Sequence, residues 1–316
     1  MHDVLRIQRE PVEALILDTD QAPRSLHRRL ATFNHMRLTP RRDALDWEAR
    51  IKGEYALRLL EGRFVEVERR QVRARAEQAP RDPDAFVSWF EGLEQNGPGQ
   101  HDPLFEWLAR DATREEMTWF LQQEMAGEAG FEDLLALTQI KLPTQVKLEL
   151  ARNYWDEMGQ GHPSGMHGPM LERLGRELGI VADDNAVWES LALANLMVAL
   201  AANRHYAYQS IGALGVIELT APGRAVAVSD GLKRLGVSGE ARRYFALHAT
   251  LDLKHSATWN REVLRPLVAQ EPSVATAIAE GALLRLQAGA RCFDRYRRVL
   301  GVSSSSPAVA ESRDLS

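Results

Sequence analysis

The sequence predicts an all-α protein, a helical bundle of about seven core helices that carries an N-terminal helical extension. The strong helix formers Ala, Leu, Glu and Arg are abundant, and the chain shows no alternating pattern typical of strands. Clusters of glycine and proline divide it into segments of helical length. Of the 316 residues, 45% are hydrophobic, which is enough to bury a sizeable core.

The elements follow in order. In the extension, helices are predicted over 25–37, 42–78 and 82–95. In the core, helices are predicted over 113–138, 144–158, 166–178, 184–219, 224–235, 239–268 and 272–300. Loops over 78–83 and 96–99 separate the extension from the core. We therefore expect an extension over 1–100, a core domain over 101–301, and a Ser-rich, charged and disordered tail over 302–316.

Composition excludes several classes of function. The formal net charge of −5 lacks the clustered positive charge typical of nucleic-acid binding, which favours a small-molecule substrate. Cys292 is the single cysteine, so any metal ligands are His, Asp or Glu. The first twenty residues do not resemble a signal peptide, and the most apolar stretch, 191–202, is too short to span a bilayer. We expect a cytoplasmic protein without membrane contact.

The strongest motif is His248-x3-Asp252-x2-His255. In a helix these three positions lie within a wedge of roughly 60° on one face. Tyr244 before the motif and Trp259 after it continue the same stripe, so the ionisable groups interrupt a seam that should be buried. Burying such groups without partners is costly, and a metal ion would satisfy all three. The alternative interpretation is a surface helix on which these residues recur by chance.

Other segments supply further candidate ligands. Glu218 ends a stripe of small residues that includes Gly212 and Gly215, where helix backbones can approach closely. Glu124 and Glu128 share an apolar stripe on the first core helix. Glu157 and His167 flank a loop with three glycines, which allows the chain to turn back so that both side chains converge. The candidate ligands are Glu124, Glu128, Glu157, His167, Glu218, His248, Asp252 and His255.

Carboxylate-rich ligation with several histidines from facing helices is the di-iron arrangement of helical bundles. Zinc sites normally use fewer carboxylates, and magnesium sites rarely recruit three histidines. Neither Glu157 nor Glu218 has a histidine three residues later, which argues against the ferritin-like type. In the di-iron hypothesis Glu157 or Glu218 bridges the two ions, and the histidines cap them.

Together these segments resemble the haem-oxygenase-like iron-containing redox enzymes over about residues 112–300. The resemblance rests on Asp156-Glu157-x-Gly-x-Gly, the histidine ten residues after that glutamate, Glu218, and the His-x3-Asp-x2-His motif. It implies a haem-oxygenase-like bundle, two iron ions, O2 as co-substrate and an external electron donor, with a homodimer as the implied assembly. In the first core helix Glu124, Glu128 and Glu132 compete for one ligand position.

The resemblance implies an O2-dependent non-haem di-iron oxidase or oxygenase. N-oxygenation of an amine or guanidine in a biosynthetic pathway is the first hypothesis, because an extra carboxylate in the first core helix resembles the N-oxygenating members. Oxidative C–C cleavage that gives an alkene from a fatty acid or amino acid is the alternative, and a metal-free helical binding protein is a third. No catalytic residue beyond the metal ligands is predicted. Tyr208, Trp259 and Arg204 are candidates for substrate binding.

Overall fold

A computed structural model describes residues 21–40, 47–181 and 185–303. These residues are mostly helical and include no β-strand, which confirms the predicted all-α class. The α-helices are α1 Gln21–Leu38, α2 Trp47–Ala76, α3 Pro83–Glu91, α4 Leu93–Asn96, α5 Pro103–Arg110, α6 Arg114–Gly127, α7 Phe131–Thr138, α8 Thr144–Glu157, α9 His167–Leu178, α10 Trp188–Ala202, α11 Ala207–Arg234, α12 Arg243–Trp259, α13 Arg265–Gln270 and α14 Val274–Leu300. Of the predicted tail, residues 304–316 lie outside the described residues.

Side chains next to the helix ends explain several of these boundaries. The carboxylate of Asp82 accepts hydrogen bonds from the backbone N–H groups of Asp84 and Ala85 at 3.1 and 2.9 Å, and thereby caps α3. Thr113 and Glu116 form a capping box at the start of α6. Such caps satisfy the N–H groups that the first helical turn leaves unpaired. The predicted starts of these two helices therefore lie close to the observed ones.

The predicted helix 113–138 is wrong as one element, because it is divided between α6 and α7. Gly130 adopts the left-handed conformation with φ 74°, which glycine adopts without a steric penalty. The carboxylate of Glu128 accepts hydrogen bonds from the backbone N–H groups of Gly130 and Phe131, both at 3.1 Å, and so stabilises the start of α7. Glu128 therefore lies at a break in the chain, and it does not share a continuous helical stripe with Glu124.

The predicted helices 184–219 and 224–235 also differ from the structure. The chain breaks at Asn203, whose side-chain amide donates to the carbonyl of Ala199 at 2.7 Å. After this break α11 continues through Pro222, which was predicted to end the helix. A proline inside a helix removes one backbone hydrogen bond, here the one to the carbonyl of Glu218 four residues earlier. The packing of α11 against α12 and α14 compensates for this loss.

Two smaller differences concern the segment of α12 and α13 and the segment of α5. The predicted helix 239–268 is observed as α12 and α13 joined by a π-helical turn over Asn260–Leu264. The inserted residue of a π-turn changes the direction of the following side chains, and such turns are frequent near functional sites. Helix α5, capped by Asp102, occupies a stretch for which the sequence predicted no element.

The centre of the bundle is the contact between α11 and α14, where the two backbones touch. A Cβ atom on Gly212 would lie 1.8 Å from the carbonyl oxygen of Ile278, and one on Gly281 would lie 1.8 Å from that of Gln209. The predicted close approach at Gly212 is thus confirmed. The stretch Arg204–Arg234 is long and apolar enough to cross a membrane, but 67% of its most apolar window is buried inside the bundle, as expected for a central helix.

Helices α1 and α2 pack against α10 and α14 and share the main hydrophobic core. Leu60 and Phe64 of α2 belong to that core. Ion pairs join α2 to α14, with Arg291 lying 3.1 Å from Glu68 and Arg69 lying 2.8 Å from Glu280. The described part of the extension therefore supports the helices that build the candidate site.

Candidate metal centre

The loop between α8 and α9 brings Glu157 and His167 together. Gly159 has φ 60°, and a Cβ atom on it would lie 2.4 Å from the carbonyl carbon of Gly165, so the two arms of the loop nearly touch. The last residue of α8, Glu157, and the first residue of α9, His167, then meet with 2.8 Å between Oε2 and Nδ1. This is the convergence that the glycine-rich sequence predicted.

Helix α12 forms the opposite wall of the site. His248, Asp252 and His255 are 8%, 3% and 4% exposed, whereas Leu253 on the other face of the helix is 58% exposed. The interpretation of the motif as a surface accident is therefore wrong, because the motif faces the interior. On this buried face of α12, the three ionisable side chains stand where a packed helix would normally carry apolar ones.

The buried groups form two clusters that share one carboxylate. Glu157, His167 and His248 make the first cluster, and Glu157, Glu218 and His255 make the second, with candidate ligand atoms within 4.8 Å of one another in each. Glu157 Oε2 lies 3.6 Å from Nε2 of His248, whereas its Oε1 lies 3.8 Å from Nδ1 of His255. One carboxylate thus presents one oxygen to each cluster. That arrangement suits a ligand that bridges two ions.

The structure separates the three glutamates that compete for the remaining position. Glu128 Oε2 lies 3.7 Å from Nε2 of His167, beside the first cluster. Glu124 is turned toward Tyr296 and does not line the cavity at the clusters. Burial raises the pKa of the Glu124 carboxyl group above its ordinary value. Glu132 lies near Gly168, outside both clusters.

Several buried ligand atoms lack hydrogen-bond partners within the described residues. They are Nε2 of His248, Oδ1 of Asp252 and Nδ1 of His255. Leaving such atoms unpaired costs free energy, and each points into a region rich in other metal-type donors. Cations bound at the two clusters would satisfy them, so the residues present fit a metal centre.

The hydrogen bond that one ring nitrogen makes determines which nitrogen atom each imidazole can offer to a metal ion. Nδ1 of His248 lies 2.7 Å from the backbone carbonyl oxygen of Tyr244. A carbonyl oxygen only accepts hydrogen bonds, so Nδ1 is the donor and the neutral ring keeps its lone pair on Nε2, toward Glu157. Nε2 of His255 lies 3.2 Å from Asp156 Oδ2, which in the same way leaves Nδ1 facing Glu157 and Glu218.

The charges of the metal-free site are strongly coupled. Burial alone would raise the pKa of Glu157, but the nearby imidazoles of His167 and His248 outweigh it and hold that pKa well below its usual range. Burial and the charge of Glu218 raise the pKa of Asp252 to about 8. For His255 the negative charge of Glu218, whose Oε2 lies 3.4 Å from Nδ1, outweighs burial and raises the pKa of the imidazole to about 9. These opposite shifts are typical of functional sites.

Four polar residues of the site were not among the predicted ligands or substrate contacts. Asp156 and Tyr244 contact His255 and His167, the latter with 3.1 Å between the Tyr244 hydroxyl and Nε2. Asn153 donates to Oε1 of Glu218 at 2.6 Å. These contacts join different helices, so no local pattern predicts them. Arg285 lines the cavity, and its isolated charge within an apolar segment of α14 is a signal that the sequence does contain.

A cavity of about 100 Å³ opens on the first cluster. Its apolar lining includes Phe131, Leu134, Leu193, Met197 and Ile217. The predicted substrate contacts Tyr208, Trp259 and Arg204 do not line this cavity. Trp259 is 1% exposed and packs against Gly215, and Arg204 donates to the backbone carbonyl of Thr138 at 3.1 Å. Packing and capping account for these two side chains.

The fold and the donor atoms define a class of protein, namely a helical bundle with a buried carboxylate–imidazole centre suited to iron. A family model described as iron-containing redox enzyme matches residues 118–290, which is more than half of the chain and contains every residue of both clusters. The protein therefore belongs to the haem-oxygenase-like family of iron-containing redox enzymes, and its class of activity is that of an oxidoreductase. No curated protein matches the chain.

Proposed function

We propose that the protein is an O2-dependent non-haem di-iron oxygenase that acts on a small organic substrate. The observation that carries this proposal is the position of Glu157, whose two carboxylate oxygens face two different clusters. His167 and His248 would hold one iron ion beside Oε2, and Glu218 and His255 would hold the other beside Oε1. Asp252 and Glu128 would complete the coordination of the pair.

The iron pair, when bound, supplies two electrons to O2. In N-oxygenation one oxygen atom enters an N–H bond and the other leaves as water, so that R–NH2 + O2 + 2 e⁻ + 2 H⁺ gives R–NHOH + H2O. The two electrons come from an external donor. The chain itself contributes the cavity, whose apolar lining keeps the number of water molecules near the reacting atoms low.

Residues behind the ligands hold them in position. Asp156 fixes the ring of His255, the carbonyl of Tyr244 fixes that of His248, and Asn153 orients Glu218. Such outer contacts set the orientation and basicity of metal ligands. Because Asp156 and Asn153 of α8 contact side chains of α12 and α11, these helices must keep their relative positions for the centre to form.

Glu128 supports N-oxygenation over oxidative C–C cleavage. Its carboxylate lies beside His167, which would give the centre the additional carboxylate that the resemblance associates with N-oxygenating enzymes. Cleavage to an alkene remains the second candidate, and the masses of the products separate the two. N-oxygenation adds 16 mass units, whereas oxidative cleavage shortens the carbon chain.

Anaerobic titration with Fe(II) tests the proposal. We expect two iron ions per chain in the wild type and at most one in Glu157→Gln, since a neutral amide is a poor bridging ligand. Glu172→Gln, a change of an exposed glutamate on α9, serves as the matched control and should bind two. Binding of one iron or none by the wild type would contradict the di-iron centre. Binding of none would favour the metal-free binding protein.

We further propose a cytoplasmic location without contact to membrane or nucleic acid, which the charge and composition of the chain support. A homodimer is proposed on the family resemblance alone. Sedimentation of the purified protein tests the dimer, and a single species at 35.5 kDa would contradict it.

A further inference from the structure

Arg285 differs from the other arginines of its helix. Helix α14 carries five arginines, and four of them pair with carboxylates. Arg291, for example, lies 3.1 Å from Glu68, and Arg298 lies 2.9 Å from Asp294. Among the described residues no hydrogen-bond partner and no ion pair within 4.0 Å is found for Arg285. Within the part of the chain that the structure describes, its guanidinium group thus has no ion-pair partner, and the residue is only half-buried.

The fold leaves space for this side chain beside the candidate metal centre. Arg285 lines the cavity together with Glu128, Glu157 and His248, and it is the only Lys or Arg among the described residues that line it. A Cβ atom on Gly289 would lie 2.8 Å from Nη1 of Arg285, so the glycine one turn later accommodates the guanidinium. The flanking residues Leu284 and Leu286 are buried.

The surroundings favour an anion near Arg285. The second guanidinium in the neighbourhood, Arg224, has its pKa lowered to about 10 by burial and by the charge of Arg285. Of the nearby carboxylates, Glu128 already contacts His167 and the start of α7, and Glu124 is turned toward Tyr296, with its pKa raised by burial. Two cationic groups that are only partly neutralised attract an additional negative charge.

We propose that Arg285 binds the carboxylate of the substrate, so that the enzyme acts on an amino acid and not on the corresponding decarboxylated amine. A planar guanidinium binds a carboxylate through two parallel hydrogen bonds, which fixes orientation as well as affinity. The apolar residues Leu193 and Met197 then contact the side chain of the bound amino acid. This inference rests on the proposed function, because it assigns the substrate of the same cavity.

Matched pairs of compounds test the inference: lysine against cadaverine and arginine against agmatine, which differ by the α-carboxylate alone. Each compound is titrated anaerobically into the Fe(II)-loaded protein by calorimetry, and aerobic products are measured by mass spectrometry. We expect the wild type to favour the carboxylate member of a pair. Arg285→Gln should weaken binding of that member by about 10- to 100-fold and leave the other member unchanged.

The controls separate this effect from general damage. Arg298→Gln removes an arginine of the same helix at an exposed position and should bind as the wild type does. Arg285→Lys keeps the charge without the planar pair of donors. It should lose less affinity for the carboxylate member than Arg285→Gln does. Stronger binding of the decarboxylated members by the wild type, equal losses for both members in Arg285→Gln, or no binding of either amino acid would each overturn the inference.

The two proposals fail in different ways. A protein that binds fewer than two iron ions, yet binds amino acids in an Arg285-dependent manner, would contradict the di-iron centre and support the carboxylate contact. If the protein binds two iron ions and Arg285→Gln does not change the binding of amino acids, the result would support the di-iron centre and overturn the contact between Arg285 and the carboxylate.

Discussion

His255 and Asp156 lie on opposite walls of the site, and Nε2 of His255 is 3.2 Å from Oδ2 of Asp156. The contact fixes the proton on Nε2 and leaves Nδ1 for a metal ion. Asp156 also lines a second, polar pocket on the outer side of His255, together with Arg152 and Lys254. The histidine therefore separates the buried centre from this pocket.

The first prediction concerns Asp156→Asn, which keeps the size of the side chain but removes its charge. An amide can turn its N–H2 group toward Nε2 and favour the wrong tautomer, so we expect iron affinity to fall by about 10- to 100-fold. Anaerobic Fe(II) titration measures the change. Asp230→Asn, an exposed position on α11, is the control. Equal iron affinities in the wild type, Asp156→Asn and Asp230→Asn would show that Asp156 does not position His255.

The second prediction decides between Glu124 of α6 and Glu128, which directly follows that helix. Glu128→Gln removes a charge 3.7 Å from His167 and should lower iron affinity by about tenfold or more. Glu124→Gln should leave iron affinity unchanged, because Glu124 lies outside both clusters and does not line the cavity beside them. The same titration compares both variants. A loss confined to Glu124→Gln would reverse the assignment.

The sequence predicted the parts of the site that local periodicity determines. His248, Asp252 and His255 recur at helical spacing on an apolar stripe, so one helix suffices to bring them to one face. Glu218 follows Gly212 and Gly215, whose missing side chains permit the close helix contact. The glycine-rich loop, in turn, allows Glu157 and His167 to meet. Each of these signals is contained in a short segment.

Other features depend on packing between distant segments. The break at Gly130 separates Glu128 from Glu124, and no periodicity predicts which one faces His167. From local sequence alone, Pro222 was predicted to end a helix. Helix α11 nevertheless continues through it, because tertiary contacts stabilise the helix. The aromatic Trp259 was a candidate for the substrate site and is a core residue, because large apolar groups at helical spacing serve packing first.

The third prediction concerns the loop between Glu157 and His167. Gly159→Ala places a Cβ atom 2.4 Å from the carbonyl carbon of Gly165 in a left-handed conformation, so it combines backbone strain with a clash. Gly179→Ala has φ 70° but no atom within 4 Å, so it should show the strain alone, about 1–2 kcal/mol. We expect a larger loss of unfolding free energy in Gly159→Ala, together with weaker iron binding. Denaturant unfolding of the metal-free protein measures the stability difference. Equal losses would contradict the close packing of the loop.

The last prediction is the pH dependence of iron binding. Asp252 and His255, with pKa values raised to about 8 and about 9, both hold a proton at pH 7 in the metal-free protein. Iron binds the deprotonated forms, so its uptake releases these protons. Because each released proton changes the binding constant by about tenfold per pH unit, apparent affinity should rise steeply up to pH 8 and less steeply up to pH 9. Above pH 9 these two groups are deprotonated and contribute no further rise in affinity. Anaerobic titrations between pH 6.5 and 9.5, with proton release followed in weakly buffered solution, measure both effects. A constant affinity over this range, with no proton released at pH 7, would mean that neither group coordinates iron.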